Sequence, residues 1–93
     1  MKIYQSRIFE KKVKKMSKAD KGALDREVRR IAENPNVGEE KKGDLKGVFV
    51  HKFKLKTHVF LLSYRKTGAN LELIMIGPHE NYYRDLKSYL KSN

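Results

Sequence analysis

Hydrophobic spacing changes period twice along this chain, and that change limits the folds open to it more than any other feature. Phe9, Val13 and Met16 recur at helical spacing, and Leu24, Val28 and Ile31 repeat the pattern, so each set lines one face of a helix. Ser6 stands before the first set as an N-cap. Ser17 stands before the second with Asp20 in the place of a capping-box acid, and Asn34-Pro35 stops that helix. The two helices are expected to pair as a hairpin. From Val48 the period becomes two: Phe49, Phe53 and Leu55 point one way, and Val50, Lys52 and Lys54 point the other. Lys56-Thr57 turns the chain into a second strand, His58 to Arg65, with Phe60, Leu62 and Tyr64 on one face and Leu61, Ser63 and Arg65 on the other. After a turn at Lys66-Thr67-Gly68-Ala69, the nearly all-apolar Asn70 to Ile76 reads as a central strand. Gly77-Pro78 breaks it, and Tyr82, Leu86 and Tyr89 resume the helical period. Met1 to Gln5 alternates weakly as a short strand, and Pro35 to Gly43 reads as a loop. The expected class is α+β: an antiparallel sheet packed on an N-terminal helical hairpin, with a C-terminal helix, in the order βααβββα and one domain over residues 1–93.

Charge narrows the partners. The 22 Lys and Arg against 11 Asp and Glu give a net charge of +11, which favours a polyanion, nucleic acid first. No apolar run is long enough to span a bilayer, and no signal-peptide core follows Met1, so a cytoplasmic protein without a membrane role is expected. Cysteine is absent, and the three histidines lack metal-ligand spacing. Chemistry without metal or cofactor is the expectation.

Two stretches carry candidate chemistry. No acidic residue lies between Asp44 and Glu72, whereas Lys46, Lys52, Lys54, Lys56, Arg65 and Lys66 all do, making the strand pair a basic surface. Lys52 and Lys54 are two residues apart on a strand, so both ammonium groups leave the same face, as contact with successive phosphates or with one scissile phosphate requires. The second stretch is Gly77-Pro78-His79-Glu80-Asn81-Tyr82-Tyr83, which sets an imidazole and two phenols where strand gives way to helix. His79 reads either as a surface residue capping the helix or as a general acid or base, the side-chain type suited to proton transfer near neutrality. Tyr82 and Tyr83 lie within a helical turn of it and could orient a catalytic base or stack on a nucleobase. Lys11, Lys14 and Lys15 belong to a further cluster that is either the wet side of an amphipathic helix or a rest for a nucleic-acid backbone. His51 reads as a packing residue, Tyr64 as core, and His58, at the turn, as either surface or nucleic-acid contact.

The helical hairpin, Leu45-Lys46-Gly47, Lys52-Phe53-Lys54-Leu55-Lys56, Phe60-Leu61-Leu62-Ser63-Tyr64 and Ile76-Gly77-Pro78-His79 together resemble the RelE/ParE superfamily of bacterial type II toxins, over nearly the whole chain. The resemblance implies a ribosome-dependent mRNA endonuclease, acting in the A site of the 70S ribosome by attack of a ribose 2′-hydroxyl on the adjacent phosphate. It also implies an antitoxin partner, which the basic charge leads us to expect to be acidic. By the same resemblance Lys52 and Lys54 match the strand lysines that stabilise the scissile phosphate, His79 matches the imidazole of the histidine-type relatives, and Tyr83 falls near their terminal aromatic. RelE itself carries an arginine in the middle of the next strand, where this chain has Leu61, and Arg65 further along the same face is the candidate substitute. The alternatives are a ParE-like poison of DNA gyrase without nuclease activity, and a plain nucleic-acid-binding module.

Overall fold

A computed structural model describes residues 1–92; Asn93, the last residue of the expected domain, lies outside the described residues. The elements are β1 (Ile3–Gln5), α1 (Arg7–Lys14), α2 (Lys18–Glu33), β2 (Glu39–Glu40), a 3₁₀ turn (Gly43–Leu45), β3 (Val48–Leu55), β4 (His58–Thr67), β5 (Asn70–Pro78) and α3 (Tyr82–Ser92). Both caps form as their residues dictate: Ser6 Oγ accepts from the Phe9 N–H at 3.1 Å, and Ser17 Oγ accepts from the Asp20 N–H at 3.1 Å. No helix among the described residues is long and apolar enough to cross a membrane.

The sheet has five strands in the order β1-β5-β4-β3-β2. The expected antiparallel meander is its centre, β3-β4-β5. Two additions make it a mixed sheet. β1 joins β5 in parallel, Ile3 opposite Leu71, and β2, inside the segment read as a loop, pairs antiparallel with β3. A two-residue strand has no alternation to read, so β2 is invisible to periodicity. β5 also runs on through Gly77-Pro78, with Pro78 opposite Phe60. Beyond Leu73 it has lost its β1 neighbour, and such an edge tolerates proline's missing N–H.

Each face of the sheet carries its own core. Phe9 of α1 with Leu24 and Ile31 of α2 packs on Phe49, Leu62, Tyr64, Leu71, Leu73 and Ile76. On the opposite face Tyr82 and Leu86 of α3 pack on Val48, Val50, Leu61, Ile74 and Met75, joined by Leu45. A β-bulge between β4 and β5 matches Ser63 to Met75 but Tyr64 to Leu73, leaving Ile74 as the extra residue. Ile74 and Met75 therefore both face the α3 core. The Ile74 carbonyl accepts from Ser6 Oγ, which ties α1 to the sheet.

Tyr64 is fully buried, as expected, and its hydroxyl clasps the segment after α2: it donates to the Pro35 carbonyl at 2.6 Å and accepts from the Gly38 N–H at 2.9 Å. Burial raises its pKa, and the Gly38 N–H partly offsets that. A Cβ on Gly38 would stand 2.6 Å from the Tyr64 oxygen. Gly38→Ala should accordingly cost about 1–3 kcal/mol in a denaturant titration. A midpoint equal to the parent's would mean that the clasp moves aside freely.

Candidate active site

β3 runs under α3 and then out of its cover. Val48 and Val50 are buried beneath that helix, whereas Lys52 and Lys54, next on the same face, are exposed. Where the strand emerges there is a cleft of about 400 Å³ lined by Val37, Glu39, Lys41, Val50, His51, Lys52 and Tyr83. Its far wall is the first turn of α3. That wall is fixed by Tyr82, which is buried; its phenol donates to the Met75 carbonyl at 2.7 Å and shares a 2.8 Å hydrogen bond with Ser63 Oγ. Burial pushes the Tyr82 phenol far above its ordinary pKa, and the bonds to Ser63 only partly oppose this. Tyr82 therefore belongs to the core, a correction to its reading as a nucleic-acid contact. Helical phase explains the difference: Tyr82 and Leu86 share the inward stripe, and Tyr83 is turned outward to the cleft.

Tyr83 collects the polar groups of the site. The His79 ring meets it edge-on, with centroids 6.2 Å apart at 83°. Lys41 Nζ stands 5.1 Å from its centroid, within cation–π range. Lys41 also pairs with Glu39 at 2.5 Å. The bond to Glu39 raises the Lys41 pKa most, against a smaller effect of burial, and Tyr83 raises it further. The Glu39 carboxyl is correspondingly lowered, first by the Lys41 hydrogen bond, then by the Lys41 charge, and also by the charge of Lys52. Lys52 lies opposite Leu61, which lies opposite Gly77, so two strand spacings, about 10 Å, separate Lys52 from the end of β5 that leads to His79. Lys52, Tyr83 and His79 thus gather at one end of one face. This arrangement can grip an anion with ammonium groups beside an imidazole and a phenol.

Other candidates lie elsewhere. Lys54 is exposed one pleat repeat beyond Lys52 on the same face. Arg65 is not brought to the cleft: it sits opposite Val48, four residues or about 13 Å along the strand from the Lys52 position. Its guanidinium donates to Glu72 at 3.0 Å, so it already has a counter-ion. Lys66, at that same far end, donates to Asn36 at 3.0 Å and covers the Phe49 ring. Lys56 and His58 are exposed at the β3–β4 turn, His58 beside the Thr57 hydroxyl. Lys46 lines a neighbouring hollow with Lys41 and Lys42. Lys11, Lys14 and Lys15 are exposed on or just after α1, in the layer on the other face of the sheet. His51 is buried on that face, 2.7 Å from Glu27, in keeping with its reading as a packing residue. Glu39 and Lys41 were missed because they sit in a stretch with no periodicity; the acid–base pair two residues apart was the only signal available.

A family model described as a ParE-like toxin of type II bacterial toxin-antitoxin systems matches residues 3–87. Among solved structures the chain is similar to one chain of the intact E. coli RelBE toxin-antitoxin complex, with a TM-score of 0.68 and 17% identity over 85% of this chain and 96% of that one. The isolated E. coli RelE toxin gives 0.66 at 17% identity, covering 95% of this chain and 97% of that one. A doubly substituted E. coli RelE in the free state gives 0.73 at 15% identity, covering 97% and 95%. At these identities the likeness establishes the fold. No curated protein matches.

Proposed function

From the premise that this chain belongs to the ParE-like toxins of type II bacterial toxin-antitoxin systems, we propose that it acts as a ribosome-dependent mRNA endonuclease. The observation that carries this reading is a cleft lined by Lys52 and Tyr83, with the His79 ring set edge-on against Tyr83. In the proposed reaction the ribose 2′-oxygen bonds to the adjacent phosphorus, the bond to the 5′-oxygen breaks, and a 2′,3′-cyclic phosphate and a 5′-hydroxyl result. Negative charge grows on the nonbridging oxygens during the attack, where Lys52 and Lys54 stabilise it. His79 is the proton-transfer group, and Tyr83, packed against its ring, orients it. Lys46, Lys56 and His58 extend the basic surface along which the strand is held. Primer extension on mRNA from translating ribosomes tests the reading. New 5′ ends confined to the A site are expected, and intact mRNA alongside arrested growth would overturn it.

The chemistry is proposed to need no added metal, because lysines supply the positive charge at the phosphate. Cleavage should survive a chelator at constant free magnesium, the ribosome's own requirement. Loss of cleavage that a transition metal restores would refute this. The antitoxin partner is proposed to present an acidic segment to the lysine-rich strands, competing there with RNA.

A gyrase poison is the second reading, favoured by the Leu61 side chain, fully buried between the Lys52 and Gly77 positions, and by the Arg65–Glu72 pair, which leave the cleft without an arginine. Gyrase-dependent DNA breaks with unbroken mRNA would establish it.

A further inference from the structure

Glu39 is the one acid among the residues lining the lysine cleft, and its placement is informative. Its carboxylate is exposed, accepts from Lys41, and lies within the influence of Lys52. An anionic group is thus already held on the Lys41 ammonium, on a side chain 74% exposed to water. The Lys41 side chain is mostly covered, only 23% exposed, with its ammonium beside the outward ring of Tyr83. Its backbone is fixed as well, since the Lys41 N–H donates to the Val48 carbonyl at 2.8 Å. A flexible carboxylate on a fixed cation is an arrangement that a phosphodiester can replace, with one anion leaving as the other arrives.

We propose that Lys41 is a further phosphate-binding residue of this site and that Glu39 is its place-holder, occupying the ammonium until a backbone phosphate of single-stranded RNA displaces it. The inference rests on the ribonuclease reading and deepens it: Lys41 lines both this cleft and the hollow that contains Lys42 and Lys46, so it leads the strand away from Lys52 toward those lysines. Glu39 acts through Lys41 and is a positioning residue. It makes the empty site electrostatically satisfied and gives up little when released, because an exposed ion pair is weak.

The test is fluorescence anisotropy with a short single-stranded RNA, fully 2′-O-methylated so that it has no nucleophile, titrated at several salt concentrations. Lys41→Met keeps the aliphatic stem on Tyr83 and should weaken binding about tenfold. It should also flatten the slope of log affinity against log salt by about 0.7, the loss of one phosphate contact on a single strand. Lys41→Arg should restore both. Glu39→Gln should tighten binding roughly two- to fivefold, and this gain should shrink in the Lys41→Met background. Melting curves identify any variant that has lost its fold, and Lys41→Gln then replaces Lys41→Met. Parent-like affinity and slope in the folded Lys41 variants, or a Glu39→Gln gain of equal size with and without Lys41, would overturn the proposal while leaving the ribonuclease reading intact. A parent protein that does not bind the RNA would overturn the proposal too, while the ribosome-dependent ribonuclease reading stands or falls by primer extension.

Discussion

Replacing Lys52 and Lys54 together by alanine should lower mRNA cleavage by at least about 10²- to 10³-fold, the usual effect of removing one fixed charge-stabilising group from a transition state. The melting temperature should stay near the parent's. Both expectations follow from one placement, because the two side chains leave the sheet just beyond the cover of α3 and bury little apolar surface. His79→Ala, also exposed, should cost roughly 10²- to 10⁴-fold. Cleavage rates on translating ribosomes, measured beside thermal melts, check both. Cleavage unchanged in the double lysine variant would remove these residues from the mechanism, and a large fall in melting temperature would make them structural.

The largest effect on stability should come from the neighbouring tyrosine. Tyr82→Ala opens a cavity at the junction of α3 and the sheet and should cost about 3–5 kcal/mol. Tyr82→Phe should cost less, about 1 kcal/mol, since Ser63 Oγ still has the Met75 carbonyl at 3.3 Å as a partner. The buried phenol also predicts a pH dependence. Its folded pKa is raised above the unfolded value near 10, so its contribution is complete below pH 10 and declines as pH rises beyond that, where the unfolded chain sheds the proton more readily. Chemical denaturation at neutral and alkaline pH measures this. Tyr82→Phe should reduce the alkaline loss, and a parent whose stability is flat through that range would contradict the burial argument.

The long elements were legible because each repeats its pattern several times: Leu24-Val28-Ile31 for a helix, Phe60-Leu62-Tyr64 for a strand. What escaped was short or relational. β2 is held by its neighbour rather than by its own two glutamates, and β1, legible as a strand, hides its parallel pairing because its partner lies at the other end of the chain. Lys52 and Tyr83 in the cleft, and His79 beside Tyr83, could be read from residue type and position, because they belong to regular elements or to their ends. Lys41 could not, since only the Tyr64 clasp on the segment before it and the pairing of β2 bring it to Tyr83. Tyr82 and Tyr83 are adjacent and chemically identical, and which of them is wet depends on how α3 is rotated over the sheet.

The bulge at Ile74 acts as a phase shift. Before it, odd-numbered residues of β5, Leu71 and Leu73, face the helical hairpin; after it, even-numbered Ile76 does, and Gly77 faces α3 close to the Tyr82 ring. Strict alternation would have sent Gly77, and with it the parity of His79, to the side of the molecule that holds no lysine cleft. One supernumerary residue thus decides the side on which the imidazole emerges. Shortening β5 by that single residue would leave every side chain implicated in chemistry present in the chain, yet turn the strand's exit toward the wrong layer. In this molecule the count of residues along one strand is as much a determinant of the site as their identity.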